Sequence, residues 1–241
     1  MACPAHLQFT VLGEGPTAVE FYLNLICPAS KKALRSVSNV LVPEVLPGGR
    51  YHGKVRLVFR PSPYVWHPQG CYVAEHLLGF GRAFCSGPTF NSRLWFNCLR
   101  EFMERQREFF DHKVQDESPN SVKERLSIIA GEVLEKASVM SKEEGAKIMR
   151  ETMPLNNFRY GGTPLIMDTK YYSRLTRQNG VWSTPTVAVN GVKAYDATSQ
   201  WAEEKWLEWF EWAPGCSPKA NVAPQIPPES PPIQWTPLPL E

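Results

Sequence analysis

The hydrophobic period of this chain changes at Cys27-Pro28, and that change constrains the fold more than any other feature. Before it, Val19, Phe21, Leu23 and Leu25 alternate with their neighbours at a period of two, the spacing of a β-strand. Beyond it, Ser30, Leu34, Val37 and Leu41 recur at spacings of four and three, which puts them on one face of a helix. Pro28 suits the first helical turn, where its missing N–H has no intrahelical partner to lose. Pro43, Pro47 and Gly48-Gly49 end the helix, and Val55, Leu57 and Phe59 mark a further strand before Pro61 and Pro63. Strand, helix and strand in that order predict a right-handed crossover between parallel strands. Leu7, Phe9 and Val11 predict an earlier strand by the same alternation.

From about residue 69 to 153 helical spacing takes over. Trp95, Leu99, Phe102, Met103, Phe109 and Phe110 share one face, and Val122, Leu126, Ile129 and Val133 another. Ser121 with Glu124, and Ser141 with Glu144, have the spacing of capping boxes. Asp168 is placed to cap a helix running to Asn179-Gly180, followed by a strand at 186–189 and a hairpin turn at Asn190-Gly191. Ala202, Trp206, Trp209 and Phe210 give a last amphipathic helix. From Pro214 onward lie nine of the 22 prolines, the composition of an extended or disordered tail. The expected organisation is a core at 1–68 and 154–213, a helical insertion at 69–153 and a proline-rich tail at 214–241.

Composition excludes several partners. Net charge is +2 with acids and bases interspersed, so no basic stripe suits nucleic acid, and no apolar run is long enough for a bilayer. The first residues lack the pattern of a signal peptide, and a cytoplasmic protein is expected. Six cysteines (Cys3, Cys27, Cys71, Cys85, Cys98 and Cys216) include no C-x-x-C pair and read as free thiols of a reducing compartment. Cys71 with His67 and His76 is the nearest approach to a metal set, but the paired spacing of zinc ligands is missing and no metal is expected.

Cys27 carries the chemical interest. A thiol at the first turn of a helix faces unpaired N–H groups and the positive end of the helix dipole, both favourable to the attacking thiolate. The structural alternative is a buried cysteine ending a strand. A second motif, Ser183-Thr184-Pro185-Thr186, sets a proline at a strand entrance, one of the few sheet positions where it is tolerated and where a cis bond would be a deliberate feature.

Together these motifs resemble the thioredoxin superfamily, specifically its DsbA-like branch. Phe59-Arg60-Pro61, His67-Pro68, Leu94-Trp95-Phe96, Gln106 and Phe109 resemble segments bordering and within that branch's helical insertion, and the resemblance covers about residues 17 to 212. It implies an α/β thioredoxin-like fold with a central mixed β-sheet and an all-helical insertion. It also implies that Cys27 is the nucleophile, with Thr184 and Pro185 beside it offering backbone groups to a peptide, and with Pro28 and His67 near the substrate.

Ser30 departs from that pattern. Where family oxidoreductases carry a second cysteine to release a trapped substrate, a serine cannot form a disulfide. Its hydroxyl, one turn along, would be within reach of the Cys27 sulfur. Three explanations fit: a monothiol served by glutathione as co-substrate, a non-redox use of Cys27 as in glutathione-dependent transferases and isomerases, or a serine substituted for a resolving cysteine. Cys71, which follows the proline-rich loop 61–68, is the candidate for a distant resolving thiol. A non-catalytic peptide-binding module keeps the groove without the reaction. The expected partner is a peptide or a small-molecule thiol or disulfide, with no bound cofactor.

His67 would serve as a base or as a plain loop residue, and Asn24 as a core polar group or a substrate contact. The aromatic stripe Trp95, Phe96, Phe102, Phe109 and Phe110, and the tryptophans at 201, 206, 209 and 212, read first as packing faces.

Overall fold

A computed structural model of the chain describes residues 3–87, 90–154 and 162–213, so the expected tail at 214–241, with Cys216, lies outside the described residues. In chain order the elements are β1 (Val11–Leu12), β2 (Thr17–Leu23), α1 (Pro28–Val40), α2 (Val42–Val45), β3 (Val55–Pro61), α3 (Pro68–Phe84), α4 (Ser92–Glu104), α5 (Asp111–Val114), α6 (Pro119–Lys136), α7 (Lys142–Thr152), α8 (Ile166–Gln178), β4 (Thr186–Val189), β5 (Val192–Lys193) and α9 (Glu203–Trp212). No helix among the described residues is long and apolar enough to cross a membrane.

The strands form one mixed sheet in the order β1-β3-β2-β4-β5. β2 and β3 run parallel from Thr17↔Val55 to Leu23↔Pro61, as the crossover pattern requires, and the other pairings are antiparallel. Every residue of β2 is buried, because helices cover both faces of this central strand. On one face Phe21 stacks on Phe59 at 5.7 Å and meets Trp206 of α9 at 6.1 Å, while Phe59 packs on Phe96 of α4. On the other face Glu20 pairs with Arg60 (Nε to Oε2 2.7 Å), both fully buried, and Tyr22 accepts a bond from Asn179 beside α8. The hairpin at Asn190-Gly191 has φ values of 50° and 86°, the left-handed pair that a two-residue turn demands.

Three local expectations are corrected. Residues Ala5–Thr10 form a 3-10 helix rather than a strand, leaving β1 only two residues. Side chains there bond to nearby carbonyls in place of a strand ladder: the Thr10 hydroxyl donates to Leu7 O at 2.9 Å and the Gln8 amide to Cys3 O at 2.9 Å. α6 starts earlier than Ser121; Ser118 is its cap, accepting from Ser121 N with Pro119 in the first turn. Ser141 does cap α7, accepting from Glu144 N. Asp168 lies inside the first turn of α8, where its carboxylate holds Arg82 of α3 at 2.7 Å and His6 at 3.1 Å, so it ties α8 to α3 instead of capping it.

The aromatic stripe is packing. Trp95, Phe96, Phe102 and Phe109 are buried, and only Phe110 is partly open. Trp206 and Trp209 are buried as well, Trp201 packs on both at 5.2 and 6.1 Å, and Trp212 is exposed.

Candidate functional site

Because β2 and β3 are parallel, their C-terminal ends share one edge of the sheet, and the site is built there. β2 gives way to a tight turn in which Asn24 Oδ1 accepts from Ile26 N at 3.2 Å and Asn24 O accepts from Cys27 N at 3.0 Å. Asn24 is therefore a buried organiser of the turn. Cys27 is the N-cap of α1, with extended backbone (φ −88°, ψ 120°), and its carbonyl accepts the first helical bond from Lys31 N. The insertion holds the same turn from outside: buried Gln106 donates to Leu25 O at 2.9 Å and to Cys27 O at 3.3 Å.

β4 runs antiparallel to β2 with Tyr22 opposite Thr186, which carries Pro185 and Thr184 past the end of β2 to the turn. The Thr184-Pro185 bond is cis, and the half-buried Cys27 thiol donates to Thr184 O at 3.4 Å. Cys27, Thr184 and Pro185 thus meet across 157 residues of chain. Pro28 occupies the first turn of α1.

Ser30 behaves differently from expectation. Its side chain is fully buried and its hydroxyl has no hydrogen-bond partner among the described residues, so the expected bond to the Cys27 sulfur is not made. The thiol is turned toward Thr184, while Ser30 is on the face of α1 that packs inward with Leu34 and Val37.

The loop after β3 closes a second side. Tyr64 carries a buried hydroxyl, and burial, with the charge of Cys27 adding to it, pushes the phenol up to about 12. Trp66 stacks on Tyr64 at 4.4 Å, and Val65 and Trp66 are exposed. His67 uses Nδ1 to hold Asp111 at 2.9 Å, and Gln69 donates to the other carboxylate oxygen. The Gln69 amide first, and His67 with it, hold the Asp111 carboxyl below its usual range. His67, Asp111 and Phe110 line a cleft of about 320 Å³ with Ile26 and Pro28, the two neighbours of Cys27. Across the site, exposed Trp182 and Tyr195 flank Pro185 in a second groove of about 320 Å³.

The remaining thiols have other surroundings. Burial pushes Cys85 up to about 12 and Cys98 well above its ordinary value; Cys71 is raised by burial and by Glu75. All five described cysteines are free. Among the described residues no group of three or more His, Cys, Asp or Glu side chains is arranged to hold a metal.

Sequence spacing does not mark Tyr64 or Asp111 as part of the site, and it gives Gln106 no role. For Tyr64 a signal existed: a loop leaving a strand parallel to β2 must emerge beside Cys27. Nothing in spacing links Asp111 to His67, 44 residues away.

No protein-family model matches the sequence, and no curated protein is significantly similar to it. Solved structures do match. A protein-disulfide isomerase candidate from Pseudomonas syringae is similar at 20% identity and a TM-score of 0.59, over 84% of this chain and 98% of that one. DsbA of Chlamydia trachomatis is similar at 12% identity and a TM-score of 0.53, over 88% and 94%. The thiol-disulfide exchange protein alpha-DsbA2 of Wolbachia pipientis is similar at 11% identity and a TM-score of 0.52, over 84% and 86%.

Proposed function

We propose that this chain, whose fold is the thioredoxin-like α/β fold of DsbA-type proteins, is a monothiol thiol-disulfide oxidoreductase acting through Cys27. The observation that carries the reading is the thiol at the N-cap of a thirteen-residue helix, 3.4 Å from the carbonyl that precedes the cis-proline. An N-terminal helical position favours the nucleophilic anion. Once the sulfur has lost its proton, the Thr184 carbonyl is released to accept an N–H from an extended peptide.

The exchange begins when the Cys27 thiolate attacks the glutathione sulfur of a mixed disulfide. The substrate thiolate leaves, and Cys27 keeps the glutathione in disulfide linkage. With serine at position 30 in place of a second cysteine, an external thiolate attacks next, restoring Cys27 and carrying away the disulfide. Glutathione in a reducing, cytoplasmic compartment would supply it.

Reduction of a mixed-disulfide peptide tests the reading. Turnover should depend on added glutathione and vanish in Cys27→Ala, and a Cys27→Ala protein as active as the parent would exclude it. The cleft lined by Pro28, His67 and Asp111 favours a second reading, glutathione-dependent isomerisation or transfer on a small substrate. There Asp111 fixes the His67 tautomer and leaves Nε2 free to move a proton. Turnover of an electrophile without disulfide exchange would select it.

A further inference from the structure

Beside Cys27 lies a groove of about 540 Å³ between α1 and the segment that follows α4. Its walls carry Lys31, Lys32 and Arg35 from α1 and Arg107 from the insertion, against one carboxylate, Glu104. Glu104 is shared by Lys31 and Arg35, whose bonds, Arg35 first, hold its carboxyl at about 2 and so keep it charged. Lys32 donates to the neutral Gln200 amide at 2.8 Å. Arg107 is exposed, and no ion pair of it is found among the described residues. The groove therefore holds three positive charges in excess, a local imbalance in a chain whose net charge is only +2. Its inner end is Pro28, next to the nucleophile, and Gln106, which bonds the Cys27 carbonyl. The continuation between α1 and α4 adds Arg100.

A cleft walled by one sign of charge raises the local concentration of opposite charge and the rate of encounter by roughly 10 to 1000-fold. A groove of several hundred Å³ also has room for a compound of tripeptide size. We propose that this groove binds the carboxylate-bearing small thiol or disulfide that reacts with Cys27, and so selects the co-substrate by charge. The inference rests on the thiol-exchange reading and specifies its partner. In the selected step the Cys27 thiolate attacks one sulfur of an anionic disulfide, the S–S bond breaks, and an anionic thiolate departs along Lys32 and Arg107.

The test compares second-order rates of mixed-disulfide formation with glutathione disulfide, which is net anionic at neutral pH, and with cystamine, which is cationic. Each rate is divided by that of 2-mercaptoethanol, a neutral free thiol, with the same reagent, which removes intrinsic differences in reactivity. The corrected anionic-to-cationic ratio should be about tenfold or more at low salt. It should fall several-fold at about 0.5 M salt, where the screening length shrinks well below its value of about 8 Å at 0.15 M. In a Lys32→Glu/Arg107→Glu protein the ratio should drop below one, and because it is a ratio on one protein, a general change in thiol reactivity cancels. A parent that reacts with both reagents at equal corrected rates, or a charge-reversed protein with the parent's ratio, overturns the groove alone. A parent inert to both overturns the thiol reading and the groove with it.

Discussion

Ser30 determines how a disulfide on Cys27 can be resolved. Its hydroxyl is buried without a hydrogen bond among the described residues, a situation that costs about 1 to 3 kcal/mol for a polar group removed from water. A thiol of similar size is a small hydrophobe and carries less of that penalty. The Cα atoms of positions 27 and 30 are about 5 Å apart by helix geometry, within disulfide range. Ser30→Cys should therefore keep or raise stability by up to about 1 kcal/mol, form a disulfide between positions 27 and 30 on oxidation, and release a group trapped on Cys27 in a single turnover without added glutathione, while repeated turnover still needs an external thiol to reduce the new disulfide. Thiol counting and a denaturant titration check both parts. A second residue, His76, sets a pH dependence away from the site. Burial first, against a bond from Nδ1 to Tyr72 O, lowers its pKa from the ordinary 6.5 to about 4. Between those values the unfolded chain holds more protons than the folded one, so stability falls as pH drops from 6.5 toward 4. The loss is on the order of 3 kcal/mol by the lower limit. His76→Gln should flatten the curve in that window, as read from unfolding midpoints at successive pH values.

At the scale of elements, α6 and α7 approach through glycine. A Cβ built on Gly131 would sit 2.2 Å from the Lys142 carbonyl and 3.1 Å from Ala146 N, both main-chain atoms. Gly131→Ala must push the helices apart, and a loss of about 1 to 3 kcal/mol in a urea titration is expected despite alanine's better helix propensity. The elements also show what was legible. α1, β3, β4 with its hairpin, and α9 followed from period and punctuation because each has a buried face whose spacing survives in the residue order. The N-terminal 3-10 helix did not, since Leu7 and Phe9 are buried at a spacing that a strand shares. Ser118 and Ser121 both fit a cap, and only the place of Pro119 in the first turn separates them. Asp168 had the chemistry of a cap but was claimed by Arg82, 86 residues away.

For the whole molecule, the centre of the sheet holds an ion pair. Arg60 and Glu20, on adjacent parallel strands, are both fully buried. Arg60→Met leaves the Glu20 carboxylate in the core without its guanidinium and should cost about 3 to 5 kcal/mol, whereas replacing both residues by apolar ones of similar volume should cost much less. Thermal unfolding of the single and double variants measures the difference. The site depends on the same assembly: Cys27 and Pro185 were legible because each marks a change of local structure, while Tyr64, Gln106 and Asp111 join them only through the parallel pairing and the packing of the insertion. The central claim is that Cys27 exchanges disulfides with an external thiol. Intact and peptide-level mass spectrometry after incubation with glutathione disulfide, then with reduced glutathione, tests it most directly. The account predicts one adduct, on Cys27, removed by the second step; an adduct spread over other cysteines with Cys27 unmodified would contradict it.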